Sequence, residues 1–198
     1  AGAEVIEISF PLPQGASSAS YTVMLYEFKY GLNKYLAEAG TGSKVKNIEE
    51  LIAFNKRDSI ELRYFDQALL YEANAKGGLE DPEYKEALKS MQLLMRSEGI
   101  DKLMKVYKLD AIMAPTDTPA WKIDLTDGDN YIGSSSSYAA LSGYPSITLP
   151  MGYVNNLPVG ISFFAGAWSE PMLIEIASGF ESVKRERKAP QFITSLER

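Results

Sequence analysis

Apolar residues recur along the first half of this chain with a helical period and later gather into short unbroken runs. Tyr21, Met24, Leu25, Phe28, Leu32, Tyr35 and Leu36 fall on one helical face. They predict a long helix that follows a loop over Gln14 to Ser20 and stops near Gly40, with Thr41-Gly42-Ser43 as the turn. Asn47 reads as an N-cap, and Glu50 three residues later completes a capping-box pattern ahead of Ile48, Leu51, Ile52 and Phe54. A short helix is expected over Phe65 to Ala75. Asp81-Pro82 starts another, carrying Tyr84, Ala87, Leu88, Met91, Leu94 and Met95. Gly99 interrupts it, and Asp101 opens a further turn or two to about Tyr107.

The pattern then changes. Leu109 to Ala114 is a run of the buried-strand type, closed by Pro115. Pro119 to Tyr131 reads as loop and Ser134 to Leu141 as a helix ending at Gly143. Ser146 to Leu149 is a strand ended by Pro150 and Gly152, and Val159 to Ala165 is another. Ser169 is expected to cap a last helix with Met172, Leu173, Ile176, Ala177, Phe180 and Val183 on one face. At the other end, Ala1-Gly2 reads as the close of a helix and Glu4 to Ile8 as a strand before Pro11-Leu12-Pro13. A chain opening on a helix end reads as part of something longer. The fold class is therefore α/β: a helix-rich part over 1–108, a sheet-forming part over 109–198, and a small mixed sheet flanked by helices.

With 198 residues, 45% hydrophobic and 23% charged, the chain is long enough for a sizeable core. Its net charge of −6 has no basic block beyond Lys184 to Lys188, which argues against nucleic acid as a partner. No run of apolar residues is long enough to span a membrane. The sequence assigns no compartment, with the cytoplasm favoured. There is no histidine and no cysteine, which excludes disulfides, thiol nucleophiles, Cys/His zinc sites and every histidine triad.

Three stretches invite a chemical reading. Ser134 to Ser137, after Gly133, could hold a nucleophile, but the base would have to be Lys or a carboxylate, and no Lys lies between Lys122 and Lys184. The plain reading is a helix N-terminus whose hydroxyls satisfy free amides. Between the two stands a pocket lined by exposed hydroxyls. Ser43-Lys44-Val45-Lys46 matches S-x-x-K in form, with neither S-D-N nor K-T-G elsewhere. Asp124, Asp127 and Asp129 around Gly128 fail the EF-hand register, because Ile123 would hold the first ligand position. They read as a polar turn. No metal or cofactor is expected.

Several segments together resemble the amidase-signature family. Leu109 to Thr116 is similar to that family's "LD-x-I-x-x-P-T", and Ser137 to Gly152 to its "A-x-x-A-G-Y-P-x-I-x-V-P-x-G". Leu157 to Phe164 resembles "L-P-V-G-I-x-F-x-G", and Trp168-Ser169-Glu170 onward resembles "W-S-E-x-x-L-L-x-I-A-x-x-F-E". The resemblance implies the C-terminal part of an amidase-signature fold. It implies amide hydrolysis by a Ser–cis-Ser–Lys triad with a backbone oxyanion hole. The Lys and the Gly/Ser-rich signature belong to the family's N-terminal half, and this chain carries neither, so no catalytic residue is assigned here. The resemblance implies that Tyr131, Ile132, Gly133, Ser134, Ser136 and Ser137, with Pro115 and Thr116, line the substrate pocket for a small-molecule amide. Family substrates include fatty acid amides, glutaminyl-tRNA, malonamide and peptide amides. The alternative is a self-standing, non-catalytic binding domain. A sheet lifted from a larger layer exposes edges, so the isolated chain is expected to self-associate.

Overall fold

The structure is a computed structural model and describes residues 2–40 and 42–190. The expected end of a helix at Ala1 and the turn residue Thr41 lie outside the described residues. The chain divides into two compact units. One is Phe10–Gly99; the other runs from Ile100 onward and includes the stretch up to Ser9.

The first unit is helical: α1 (Ala16–Glu38), α2 (Ile48–Arg57), α3 (Ala68–Asn74) and α4 (Pro82–Met95). Helix α1 starts earlier than the sequence suggested, within the expected loop. Ala16 is fully buried, and the amides of Ala16 and Ala19 bond the carbonyls of Pro13 and Gly15. Asn47 caps α2 by accepting from the Glu50 amide at 2.9 Å, and Glu50 reaches back to the Lys46 amide at 2.8 Å. Asp81 caps α4 through the Glu83 amide at 3.0 Å, with Pro82 in the first turn. Helix α3 begins at Ala68 because Gln67 is tied down before it, bonding the Ile52 carbonyl and the Tyr71 hydroxyl. Leu25, Ile48, Ile52 and Ala73 form the core of this unit. A kinked turn, Arg96–Ile100, breaks the helix after Met95. A Cβ on Gly99 would lie 2.7 Å from the Leu94 carbonyl oxygen, so glycine is required there.

The second unit holds α5 (Asp101–Tyr107), β1 (Ile112–Pro115), α6 (Ser136–Ser142), β2 (Ser146–Val154), β3 (Leu157–Phe164) and α7 (Glu170–Val183). Its sheet has the order β1-β3-β2. The pairing differs from the expected mixed sheet, since every pair among the described strands is antiparallel. The cause is local. Asn155 and Asn156, both at positive φ, make a two-residue turn that folds β2 directly back onto β3. Strand β2 also runs past Pro150 instead of ending there, because a register shift between Pro150 and Gly152 absorbs the break. Pro150 and Pro115 are tolerated because β2 and β1 are the outer strands of this trio.

Two further expectations are corrected. Residues 4–8 form no strand: Val5 and Ile6 are exposed and lack a ladder partner, without which β propensity alone makes no strand. Ser169 precedes α7, but its hydroxyl donates to the Gly166 carbonyl at 2.7 Å and caps nothing. Helix α7 packs on one sheet face, where Leu149, Ile161, Phe163, Leu173 and Ala177 make the core. On the other face the Tyr138 ring of α6 stacks parallel on Phe164, with ring centroids 5.8 Å apart. Among the described residues no helix is long and apolar enough to cross a membrane.

Candidate functional site

Three hydroxyls cross that second sheet face in a row. Ser162, buried on the central strand, meets Thr116 Oγ1 at 2.8 Å and Thr148 Oγ1 at 2.9 Å. The row needs Gly160: a Cβ there would lie 2.8 Å from Thr116 Oγ1 and 3.1 Å from Thr148 Cγ2. Thr116 is fixed at its backbone as well. Its amide donates to the Gly160 carbonyl at 2.8 Å, and its carbonyl accepts from the Ser135 amide at 3.2 Å. One residue along, Asp117 and Ser134 form an isolated antiparallel bridge. The serine segment is thereby pinned to the end of β1.

The eight residues expected to line a pocket are partly gathered. Pro115 closes β1, and Thr116 holds the Ser135 amide while the next residue, Asp117, bridges Ser134. Gly133 sits at φ 145, a conformation open to glycine, and turns the chain into the bridge. Ser134 and Ser136 bond each other through their hydroxyls at 2.9 Å. Helix α6 starts at Ser136, two residues later than the sequence suggested, with Ser137 in its first turn. Tyr131 and Ile132 are exposed. Tyr131 meets Trp121 edge-on at 5.7 Å, and Ile132 lines an open groove of about 650 Å³ with Trp121, Asn155 and Leu157.

Ser135 is the residue that sequence reasoning passed over. Its side chain is 5% exposed, and its Oγ is buried with no hydrogen-bond partner among the described residues. Nothing in four consecutive serines marks which one is buried. That depends on the tie to Thr116.

Ionisable groups give the segment little help as a reaction centre. The Ser134 and Ser136 hydroxyls bond each other, and among the described residues neither bonds a lysine or a carboxylate that could take a proton. The Tyr138 phenol is pushed above its ordinary value by burial and stays neutral. Asp124 is drawn below the usual carboxylate range by the backbone amides of Asp127 and Thr126, which it accepts at 2.9 and 2.8 Å. Those bonds fold the Asp124–Gly128 stretch as a turn closed on itself. Among the described residues no group of three acidic side chains is arranged to hold a metal ion.

Comparison with known proteins adds a separate line of evidence. The family described as Amidase matches residues 1–174. A probable amidase of Arabidopsis thaliana is 37% identical over 183 residues, covering 90% of this chain and 32% of that protein. Among solved structures, the native peptide amidase from Stenotrophomonas maltophilia superimposes with a TM-score of 0.82 at 41% identity, covering 94% of this chain and 37% of that one. An amidase family protein from Bacillus anthracis gives 0.72 at 25% identity, covering 95% and 33%. The chain spans about a third of the length of the relatives it matches.

Proposed function

The chain belongs to the amidase family, and from that premise we propose that it is the C-terminal segment of a hydrolase cleaving carbon–nitrogen amide bonds. The reacting groups, a Ser–cis-Ser–Lys set, lie elsewhere in the whole protein. This segment supplies scaffold and one wall of the substrate pocket, formed by Pro115, Thr116, Tyr131, Ile132, Gly133, Ser134, Ser136 and Ser137.

The observation that carries this reading is the hydroxyl pair of Ser134 and Ser136, which bond each other and, among the described residues, no base. Such hydroxyls can hold a polar substrate, and without an adjacent base they are weak nucleophiles at neutral pH. The coverage of about a third of each relative agrees, because it leaves room for a catalytic part beyond these residues. The likeness to a peptide amidase makes a peptide C-terminal amide the first substrate to try.

The test is ammonia release from such an amide by the purified 198-residue chain. The expected result is no turnover. Turnover that disappears in Ser134→Ala or Ser136→Ala would overturn the assignment. The isolated chain should also self-associate, since the outer edge of β2 is unpaired among the described strands. A clean monomer by light scattering at tens of micromolar would count against that.

A further inference from the structure

The open groove of about 650 Å³ adjoins the candidate wall. It lies between the loop over 118–132 and the tip of the β2–β3 hairpin, and Ile132 belongs to both the groove and the wall. The loop is tied at its base, its tip and its side. The Asp117–Ser134 bridge closes the base, the Asp124 carboxylate accepts the Thr126 and Asp127 amides, and the Trp121 ring meets Tyr131 edge-on. These ties shape the groove without a ligand. Its lining mixes two chemistries. Trp121, Ile132, Val154 and Leu157 give it apolar surface, with Ile132 and Val154 exposed. Asp124, Asp127 and Asp129 set three carboxylates against the single ammonium of Lys122. Asp124 is engaged by its own loop. Among the described residues, Asp127, Asp129 and Lys122 take part in no ion pair.

We propose that this groove binds the side chain of a lysine or arginine in the substrate, a peptide amide with a basic residue at or next to the amide that is cut. The proposal rests on the amide-hydrolase reading above and adds the charge of the substrate. Apolar and acidic groups side by side select this occupant. A lysine or arginine side chain has an apolar stem and a cationic head. The stem gains by burial against Trp121, Ile132 and Leu157, and the head gains from the Trp121 ring face and from the Asp127 and Asp129 carboxylates. A purely apolar side chain gains nothing from those carboxylates, and an acidic one meets like charge. Lys122 weakens the attraction and still leaves the lining with an excess of negative charge.

The experiment uses the complete protein that contains this chain. The probes are N-acetyl-lysyl-leucinamide and N-acetyl-leucyl-lysinamide, each beside its counterpart with norleucine in place of lysine. Norleucine keeps the apolar stem and lacks the charge. In at least one of the two positions, kcat/KM for lysine exceeds that for norleucine by about 3- to 10-fold, the range of an exposed cation–aromatic contact with a carboxylate beside it. The ratio falls as salt is raised. In the double variant Asp127→Asn with Asp129→Asn it drops to near one. Trp121→Leu keeps an apolar side chain, loses the ring face and lowers the ratio about 2- to 5-fold. Each ratio compares two substrates on one preparation, so a variant that folds poorly loses active protein equally for both. Equal kcat/KM for lysine and norleucine at both positions would overturn the proposal, and so would a preference that survives the double variant. A wild type that cleaves no amide removes the hydrolase reading and this inference with it. An active wild type without the charge preference removes this inference alone.

Discussion

The helical unit Phe10–Gly99 and the sheet unit from Ile100 onward are joined internally by different chemistry. In the helical unit, charged groups link elements far apart in sequence. Tyr26 donates to Glu83 at 2.6 Å, Tyr21 to Glu72 at 2.6 Å and Tyr84 to Glu27 at 2.8 Å, and Lys29 Nζ donates to the carbonyls of Asn74 and Lys76. In the sheet unit one such link, Tyr144 to Asp101 at 2.9 Å, stands beside joints that are mostly neutral: a backbone ladder, the Thr116–Ser162–Thr148 row and an apolar core under α7. Ion-linked helices tolerate small shifts of long side chains. A hydroxyl row held between strands leaves its members little freedom, which suits a surface that must present groups at set positions.

The largest expected effect breaks the sheet unit from its apolar side. Phe164 is 2% exposed and stacked on Tyr138. Phe164→Ala should cost about 3–5 kcal/mol in denaturant unfolding, as large-to-small core changes do. Hydrogen exchange sharpens the comparison: protection should fall in β2 and β3 and hold in α1 and α4. Equal loss in both units would erase the distinction drawn between them.

Gly160→Ala probes the neutral row directly. The added methyl meets Thr116 Oγ1 at 2.8 Å and must push it aside, for about 1–3 kcal/mol of overpacking. Unchanged stability would mean that the row moves freely.

Tyr26→Phe is the matching cut in the helical unit. It leaves Glu83 with Lys76, 2.7 Å away, so the loss should be smaller, about 1–2 kcal/mol.

The smallest effect is acid sensitivity. Lys76, and after it Tyr26, hold the Glu83 carboxyl below its ordinary value. A depressed folded pKa stabilises above the unfolded value, and that contribution is lost as pH falls through the folded one. Stability of the helical unit should therefore decline with acid below the ordinary carboxylate range, and Glu83→Gln should flatten the decline. An unaltered profile in Glu83→Gln would mean that the link is too exposed to matter.

These contacts also explain what could be seen in the sequence. Helices α2 and α4 were legible because Asn47 with Glu50 and Asp81 with Pro82 are start signals that work within one turn. The break at Gly99 was legible for the same local reason. The hairpin was missed although its signal, Asn155-Asn156, was present, because Pro150 and Gly152 suggested an end where the strand only bulges. The strand expected at 4–8 needed a partner that no local pattern reveals. The serine segment stood out in the sequence, yet the separate character of Ser135 comes from a bond to Thr116, far back along the chain.

The central claim is that this chain supports a reaction whose chemical groups lie elsewhere in the same protein. Denaturing mass spectrometry of the intact protein from its source cell tests it most directly. The account predicts a mass well above twice the 21.9 kDa of these residues. A mass near 21.9 kDa would contradict it and leave a self-standing binding domain in its place.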